Sequence, residues 1–272
     1  MGAAQTRADP GRANPGGADS RRLPRYAAGE IDVPFVIKGK AEDIPRDTYW
    51  EEHSHPTHEL LWNERGASSA TVGRRVWTIT PTVGLWIPAG TPHSGWTPAG
   101  TRHRAAQFSV HAVPAVSDRT VAVQVTPLLG LLLDRLDEGG LAAGERSRTE
   151  AMVLDVLAPS QRELILQIPE SPLLAPIVAA VRADPGDPTT LAAWAGRLGV
   201  SARTLTRAFR AETGLGFSRW VATARVQRAV EMLARGEEIE EVAACVGYHS
   251  ASAFGVAFRR ITGLSPGRFR AQ

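Results

Sequence analysis

The chain has 272 residues, enough for two domains of ordinary size, and its 43% hydrophobic and 22% charged content is that of a folded soluble protein, not of a disordered chain. No apolar run approaches the roughly 18 residues of a membrane helix, and Arg21-Arg22 leads into Leu23-Pro24-Arg25-Tyr26 instead of an apolar leader, so a cytoplasmic protein with no membrane partner is expected. The single cysteine, Cys245, excludes an internal disulfide and is expected as a small buried hydrophobe in a reducing compartment.

The formal net charge of +3 is unevenly spread. From Ser171 to Gln272 there are 13 Arg, no Lys and 8 acidic residues, an excess of five positive charges, so the rest of the chain carries about −2. A basic C-terminal part suits a phosphate backbone as partner, although a solvated surface has the same composition.

Residues 1–28 are rich in Gly, Ala, Pro, Asp and Arg and carry almost no large apolar side chain. Such a segment buries too little surface to offset the entropy of ordering it, so a disordered arm is expected. Arg21, Arg22 and Arg25 offer it a role on DNA, with a solvated tail the preferred reading.

Residues 29–125 change to short β-type runs punctuated by Gly and Pro: Val33–Ile37, Glu59–Asn63, Ser69–Val72, Arg75–Thr80, Gly84–Pro88 and Ala105–Val110. Their spacing is that of a sandwich or barrel. Four of the seven tryptophans fall between Trp62 and Trp96, which suits large ring packing inside or at the mouth of such a barrel. Within it lies His53-Ser54-His55-Pro56-Thr57-His58-Glu59. On one unbroken strand His53, His55 and Glu59 share a face and His58 points the other way. Pro88-Ala89-Gly90-Thr91-Pro92-His93 brings a turn and a further imidazole. Three imidazoles and a carboxylate suit a divalent first-row metal: Ni, Fe, Co, Mn, Cu or Zn. Neutral imidazole is needed for ligation, so acid is expected to release the ion.

This segment resembles the cupin family of small β-barrels. The first cupin motif is met by His53, His55, Glu59 and Gly66 at every spacing, and the second by Pro88, Gly90 and His93. Asp47 stands where a Gly opens the first motif and Thr97 where an Asn closes the second, while Gly84 precedes Pro88 by three intervening residues where the family has five. The resemblance implies His53, His55, Glu59 and His93 as metal ligands. A pocket for an organic effector without metal stands beside it, as cupin sensing domains often keep a partial ligand set. His103 and His111 match nothing and are expected on the surface or satisfied in the core.

Residues 126–170 read as helical. Leu129, Leu132, Leu133 and Leu136 form one stripe and Met152, Val153, Val156 and Leu157 another, separated by Gly139-Gly140. The leucine stripe requires a cover, either the chain's own barrel or a second subunit in a homodimer. A further helix over Leu173–Ala183, with Pro176 tolerated in its first turn, stops at Asp184-Pro185-Gly186-Asp187-Pro188.

Residues 171–272 contain a repeat. Phe209-Arg210 leads to Thr213-Gly214-Leu215 and Phe258-Arg259 leads to Thr262-Gly263-Leu264, an offset of 49 residues. Each copy has a short apolar-periodic helix ending at a Gly, then a Ser at an N-cap position, then a second helix ending at another Gly. That is the helix-turn-helix plan. Ser218–Arg235 reads as a connecting helix of roughly 27 Å, long enough to hold two recognition helices near successive major grooves about 34 Å apart.

The stretch resembles the AraC/XylS family of transcription regulators over about its last 85 to 100 residues. The matching runs are Ser201 to Arg210, Thr213-Gly214, Ala243 to Phe254 and Phe258 to Arg270. The resemblance implies DNA-binding residues Arg203, Thr204, Thr206, Arg207 and Arg210 in the first copy and His249, Ser250, Ser252 and Arg259 in the second. It places Arg203, Thr206 and Arg207 toward the groove, with a phosphate clamp or an intradomain ion pair as the other reading of Arg207 and Arg210. Ala251, Ala253, Gly255 and Val256 give the second helix few hydrogen-bonding groups. The expected fold is α+β: an N-terminal cupin-type β-barrel followed by an all-α domain with two helix-turn-helix motifs. The expected function is a DNA-binding transcription regulator, not an enzyme, that answers to a metal or small-molecule effector. Double-stranded DNA, RNA polymerase and a second copy of the chain are the expected partners. The alternative is a cupin metalloenzyme such as a dioxygenase.

Overall fold

The computed structural model describes residues 18–270. Two sheets form the N-terminal unit. The strands are β1 (Asp19–Arg21), β2 (Ile37–Asp43), β3 (Thr48–His53), β4 (His58–Arg65), β5 (Ser68–Val72), β6 (Arg75–Ile79), β7 (Val83–Ile87), β8 (His93–Thr97), β9 (Arg102–Phe108), β10 (Val121–Gln124) and β11 (Ile165–Gln167). One sheet has the order β1-β3-β8-β5-β6-β11 and the other β10-β7-β4-β9-β2. Alternation along each strand sorts side chains between two cores. In β4, Leu61 joins Ala70, Trp77, Ile79, Leu85 and Ile87 inside the barrel. Its neighbours Leu60 and Trp62 face the other way, toward Trp86, Phe108 and the helices.

Those helices are α1 (Pro127–Asp137) and α2 (Ala143–Val156). The N-cap Thr126 hydroxyl accepts from the Leu129 amide and starts α1. Leu129, Leu133 and Leu136 are 0%, 1% and 4% exposed against the second sheet, so the stripe seen in the sequence is covered by its own chain. Leu128 and Leu131 on the opposite side of α1 are 51% and 68% exposed. The buried Arg104 guanidinium ties α1 to β9 by pairing with Asp134 and Asp137.

Residues 18–28, expected in the disordered arm, are ordered here, while residues 1–17 of that arm lie outside the described residues. β1 pairs in parallel with β3. Arg21 pairs with Glu42, Arg22 with Glu51 and Arg25 with Glu52, so the barrel's own carboxylates take the cations considered for DNA. A sequence read locally has no access to a parallel partner 29 positions away, Asp19 against Thr48.

The C-terminal unit contains α3 (Ala175–Ala183), α4 (Leu191–Arg197), α5 (Ala202–Thr213), α6 (Phe217–Ala234), α7 (Ile239–Cys245), α8 (Ala251–Thr262) and α9 (Pro266–Arg270). Trp194, Leu205, Phe209 and Trp220 close one core with α3, and Val242, Phe254, Phe258 and Phe269 close the other against the end of α6. Ten residues of α6 are buried, which makes it the shared spine of both motifs. Cys245 is exposed at the end of α7, contrary to the sequence expectation. Val242 and Ala243 take the inward positions of that short helix instead.

The two units are in contact. β11 adds antiparallel to the β6 edge of the barrel. Trp220 donates from Nε1 to the Gln167 carbonyl at 2.7 Å, Gln227 donates to the Val76 carbonyl at 3.0 Å, and Arg235 pairs with Asp47 at 3.2 Å. Among the described residues no helix is long and apolar enough to cross a membrane.

Candidate metal centre and nucleic-acid interface

The four residues read as metal ligands come together, by a route different from the one expected. β3 ends at His53 and β4 begins at His58, so Ser54–Thr57 is a turn and not a continuous strand. His53 lies across the ladder from His93 at the start of β8. The turn delivers His55, and β4 carries Glu59 as its second residue. Gly90 holds the neighbouring loop: its φ is +72°, and a Cβ there would lie 2.8 Å from the Ala28 amide nitrogen.

One ligand atom from each of His53, His55 and His93 lies within 4.8 Å of the others. Glu59 places Oε1 3.4 Å from His55 Nε2 and Oε2 3.3 Å from His93 Nε2. Ligand atoms about 2.0–2.2 Å from one ion in a tetrahedron lie about 3.3–3.6 Å apart, so the carboxylate contacts fit a shared ion. Tautomers support the same geometry. His53 donates from Nδ1 to the Glu51 carbonyl at 2.7 Å, and His93 from Nδ1 to the Thr91 carbonyl at 3.0 Å. A carbonyl only accepts, so Nδ1 carries the proton and Nε2 presents a lone pair to the site.

Glu59 is 5% exposed, and its Oε1 accepts from Gln107 Nε2 at 2.6 Å. Among the described residues its Oε2 accepts no hydrogen bond of normal geometry, with His93 Nε2 3.3 Å away as its nearest ion-pair contact. An ionised carboxylate facing imidazole lone pairs in a buried site needs a cation between them. A proton on His93 Nε2 supplies one, and a metal ion supplies another. Burial works to raise the Glu59 pKa, but His55, His93 and His53 outweigh it and hold it at about 2. Burial, then the neighbouring His93, pushes His53 down to about 4, and burial lowers His55 too. Burial also opposes charge on His93, but Glu59 and the Thr91 carbonyl raise its pKa above the ordinary value. Two neutral imidazoles, one basic imidazole and a carboxylate fit a divalent first-row ion.

The quartet opens on a cavity of about 390 Å³ inside the barrel, walled largely by apolar side chains such as Leu61, Ala70, Ile79 and Ala105. Leu23 and Phe35 from the N-terminal segment complete the wall. The Tyr26 amide donates to Ser54 Oγ, and Ser54 Oγ donates back to the Tyr26 carbonyl, which fastens that segment beside the histidine turn. His103 also lines the cavity, with Nδ1 bonded to Asn63 Oδ1 at 3.3 Å, and burial first of all lowers its pKa to about 4. His58 points away and stacks on Trp86 at 5.2 Å, while His111 is exposed beside Asp32. Gln107, which orients Glu59, carries no motif and was not legible in the sequence.

On the C-terminal unit, α5 and α8 are built alike. Ser201 and Ser250 cap them by accepting from the amides of Thr204 and Ala253, and Gly214 and Gly263 end them in the left-handed conformation. Arg203, Arg207 and Arg210 are exposed on α5 and Arg259 on α8, and none of the four forms an ion pair among the described residues. Thr204 is drawn into the cap, with its hydroxyl 2.8 Å from Ser201 Oγ, and Thr206 donates back to the Ala202 carbonyl. Ser250 is likewise spent on its cap, whereas His249 and Ser252 stay exposed. Val256 is 68% exposed on the same helix. An exposed valine beside Ala253 and Gly255 suits contact with apolar groups such as thymine methyls.

Sequence reasoning missed Arg225 of α6. Its guanidinium donates to the carbonyls of Pro185, Gly247 and Asp187 at 2.8, 3.1 and 3.3 Å. It therefore joins the entry turn, the connecting helix and the turn of the second motif. Gly247 sits close under that staple: a Cβ there would lie 2.7 Å from the Gly186 carbonyl.

Residues 35–150 match a family described as an AraC-like ligand binding domain, and residues 194–272 match a helix-turn-helix domain family. Over 247 residues the chain is 27% identical to the HTH-type transcriptional regulator NimR of Escherichia coli strain K12, covering 89% of each. It is 39% identical over 121 residues to the HTH-type transcriptional regulator RipA of Corynebacterium glutamicum, covering 42% of this chain and 37% of that one. Among solved structures, the DNA-binding domain of AdpA in complex with a target DNA is 34% identical over 38% of this chain and 92% of that one, with a TM-score of 0.35.

Proposed function

This chain belongs to the AraC family of DNA-binding transcription regulators, with a ligand-binding domain ahead of the DNA-binding one, and from that premise we propose that its effector is a divalent first-row metal ion held by His53, His55, Glu59 and His93. The observation that carries this reading is the orphaned, buried Glu59 Oε2 among three imidazoles, two of which have Nδ1 tied to a carbonyl. An ion there satisfies Oε2 and uses the Nε2 lone pairs. The apolar cavity beside the quartet supports a second reading, in which a small organic effector occupies the barrel with a proton on His93 in place of the ion.

Coupling to DNA requires the ion to favour one of two arrangements of the protein, and the effect is reciprocal. The contact through the sheet offers a direct route. His53 and His93 sit on β3 and β8, and the sheet containing those strands meets α6 through Arg235–Asp47 and Gln227–Val76.

DNA is read by α5 and α8. The unpaired Arg203 and Arg207 favour base recognition by the first helix, and the apolar surface of α8 favours phosphate and methyl contacts by the second. The exposed Leu128 and Leu131, with Met152 of α2 at 46% exposure, favour a homodimer through the outer side of α1 and α2. Elemental analysis of purified protein, with DNA titrations in metal-loaded and stripped forms, tests the effector. Bound metal is expected near one ion per chain in wild type and absent from a His53→Ala/His93→Ala variant. Equal metal in both proteins removes the site, and equal DNA affinity with and without the ion removes the switch.

A further inference from the structure

Between α2 and α3 the chain passes from one sheet of the barrel to the other. Pro159 bridges to Val123 of β10, the Gln124 amide donates to the Ala158 carbonyl at 3.1 Å, and the Ser160 amide donates to the Ala122 carbonyl at 2.8 Å. The Leu164 carbonyl then accepts from the Thr78 amide of β6 at 3.0 Å, and β11 begins. Gln161, Arg162 and Glu163 are left to cross from the β10 edge of one sheet to the β6 edge of the other. His53 and His93 on one side and Glu59 on the other come from the same two sheets.

The crossing is pinned at its centre. Ser160 Oγ accepts from the Arg162 amide and donates to the Arg162 carbonyl, both at 3.0 Å, so one hydroxyl fixes both backbone groups of Arg162. Its side chain lies on the second helix-turn-helix motif. A Cβ at Gly263 would lie 3.3 Å from Arg162 Nε and 3.4 Å from its Cζ, so the guanidinium covers the open side of that glycine. Gly263 is the residue that ends α8, with φ +77°. A helix ends in unpaired carbonyls and a partial negative charge, which favour a cation there. The Arg162 side chain forms no ion pair and no hydrogen bond among the described residues, so no carboxylate draws it elsewhere. Apolar packing supports the same contact: Leu164, at the end of the crossing, and Ala67, between β4 and β5, join the core that contains Val230, Phe254 and Phe258.

The grip is at the opposite end of α8 from its reading residues. Ser252 lies roughly 16 Å from Gly263 along the helix at about 1.5 Å per residue, and Ser252 and Val256 are exposed. A tilt of roughly 5° about Gly263 moves Ser252 by roughly 1.4 Å, enough to take a polar group out of the hydrogen-bond range of about 2.7–3.2 Å. The barrel therefore holds this helix without covering the end that faces DNA. We propose that Arg162 is a positioning residue for DNA recognition, a proposal that rests on α8 reading DNA. From the crossing between the two sheets it fixes the C-terminal end of α8, and so sets the spacing of the two half-sites that the protein accepts.

The test uses full-length protein and the duplex that wild type selects from randomised DNA, together with the same duplex lengthened or shortened by one base pair between the half-sites. One base pair moves the second half-site by about 3.4 Å and turns it by about 35°. Wild type is expected to bind both shifted duplexes about tenfold or more weaker. Arg162 is exposed, so Arg162→Ala leaves the fold intact. It is expected to bind the selected duplex about threefold weaker and to lose less than about a third of the wild-type factor on each shift. Its affinity is expected to fall with salt as steeply as that of wild type. A slope lower by about one places Arg162 on a phosphate and overturns the proposal. Equal losses on the shifted duplexes for the two proteins overturn it, as does a wild type that tolerates both shifts. A selected duplex with a single half-site removes the reading by α8 and this proposal together, whereas two half-sites with equal losses remove this proposal alone.

Discussion

Replacing Arg225 by Met tests the staple at the centre of the DNA-binding unit. The stem of the side chain is kept, and what is lost is the fork that donates to the Pro185, Gly247 and Asp187 carbonyls at 2.8, 3.1 and 3.3 Å. The cation over the Tyr248 ring, 5.6 Å from its centroid, goes with it. A hydrogen bond to a charged group contributes about 1.5–3 kcal/mol when its partner is left bare. Arg225 is half-buried, so water replaces part of what is removed, and the bonds do not add in full. The expected loss is about 2–4 kcal/mol. Urea unfolding followed by tryptophan fluorescence measures it. Arg225→Lys keeps the charge but offers a single ammonium in place of three fixed donors, so it is expected to recover less than half the loss. A loss under about 0.5 kcal/mol for Met, the range of ordinary surface changes, refutes the staple. Full recovery by Lys refutes the argument from fork geometry.

Three further outcomes follow from the same structure. Leu128→Glu/Leu131→Glu is expected to convert a dimer to a monomer by light scattering without loss of stability, because the buried Leu129, Leu133 and Leu136 are untouched; a wild-type protein that is monomeric at tens of micromolar removes the dimer. Selection on randomised DNA is expected to return a more informative half-site for α5 than for α8, and Arg207→Ala is expected to cost about 1–3 kcal/mol and to relax base preference there; equal half-sites contradict this. His103 is held neutral with a pKa of about 4, so the unfolded chain binds the extra proton between about pH 6.5 and 4. Stability therefore rises with pH across that window, by at most about 1.4 kcal/mol per pH unit from this group, and His103→Gln is expected to flatten the slope of wild-type urea midpoints against pH. Parallel slopes for the two proteins exclude a buried neutral His103.

What the sequence determined by itself was local. Ser201, Gly214, Ser250 and Gly263 cap and stop their helices within a few residues of chain, so two helix-turn-helix units were readable from spacing alone. The identities of His53, His55, Glu59 and His93 were readable for the same reason, although the turn at Ser54–Thr57 replaced the single strand invoked to align them. What only the tertiary structure decided depends on partners distant in the chain. β1 is a strand because β3 is beside it, and Leu129 is buried where Leu128 is not because one side of α1 meets the second sheet. Gln107 reaches Glu59 across 48 positions, and Arg225 reaches back 40 positions to Pro185. Ser69, Thr71, Thr78 and Ser94 look in sequence like the solvent side of ordinary strands, and only the fold sets α6 opposite them across a cleft.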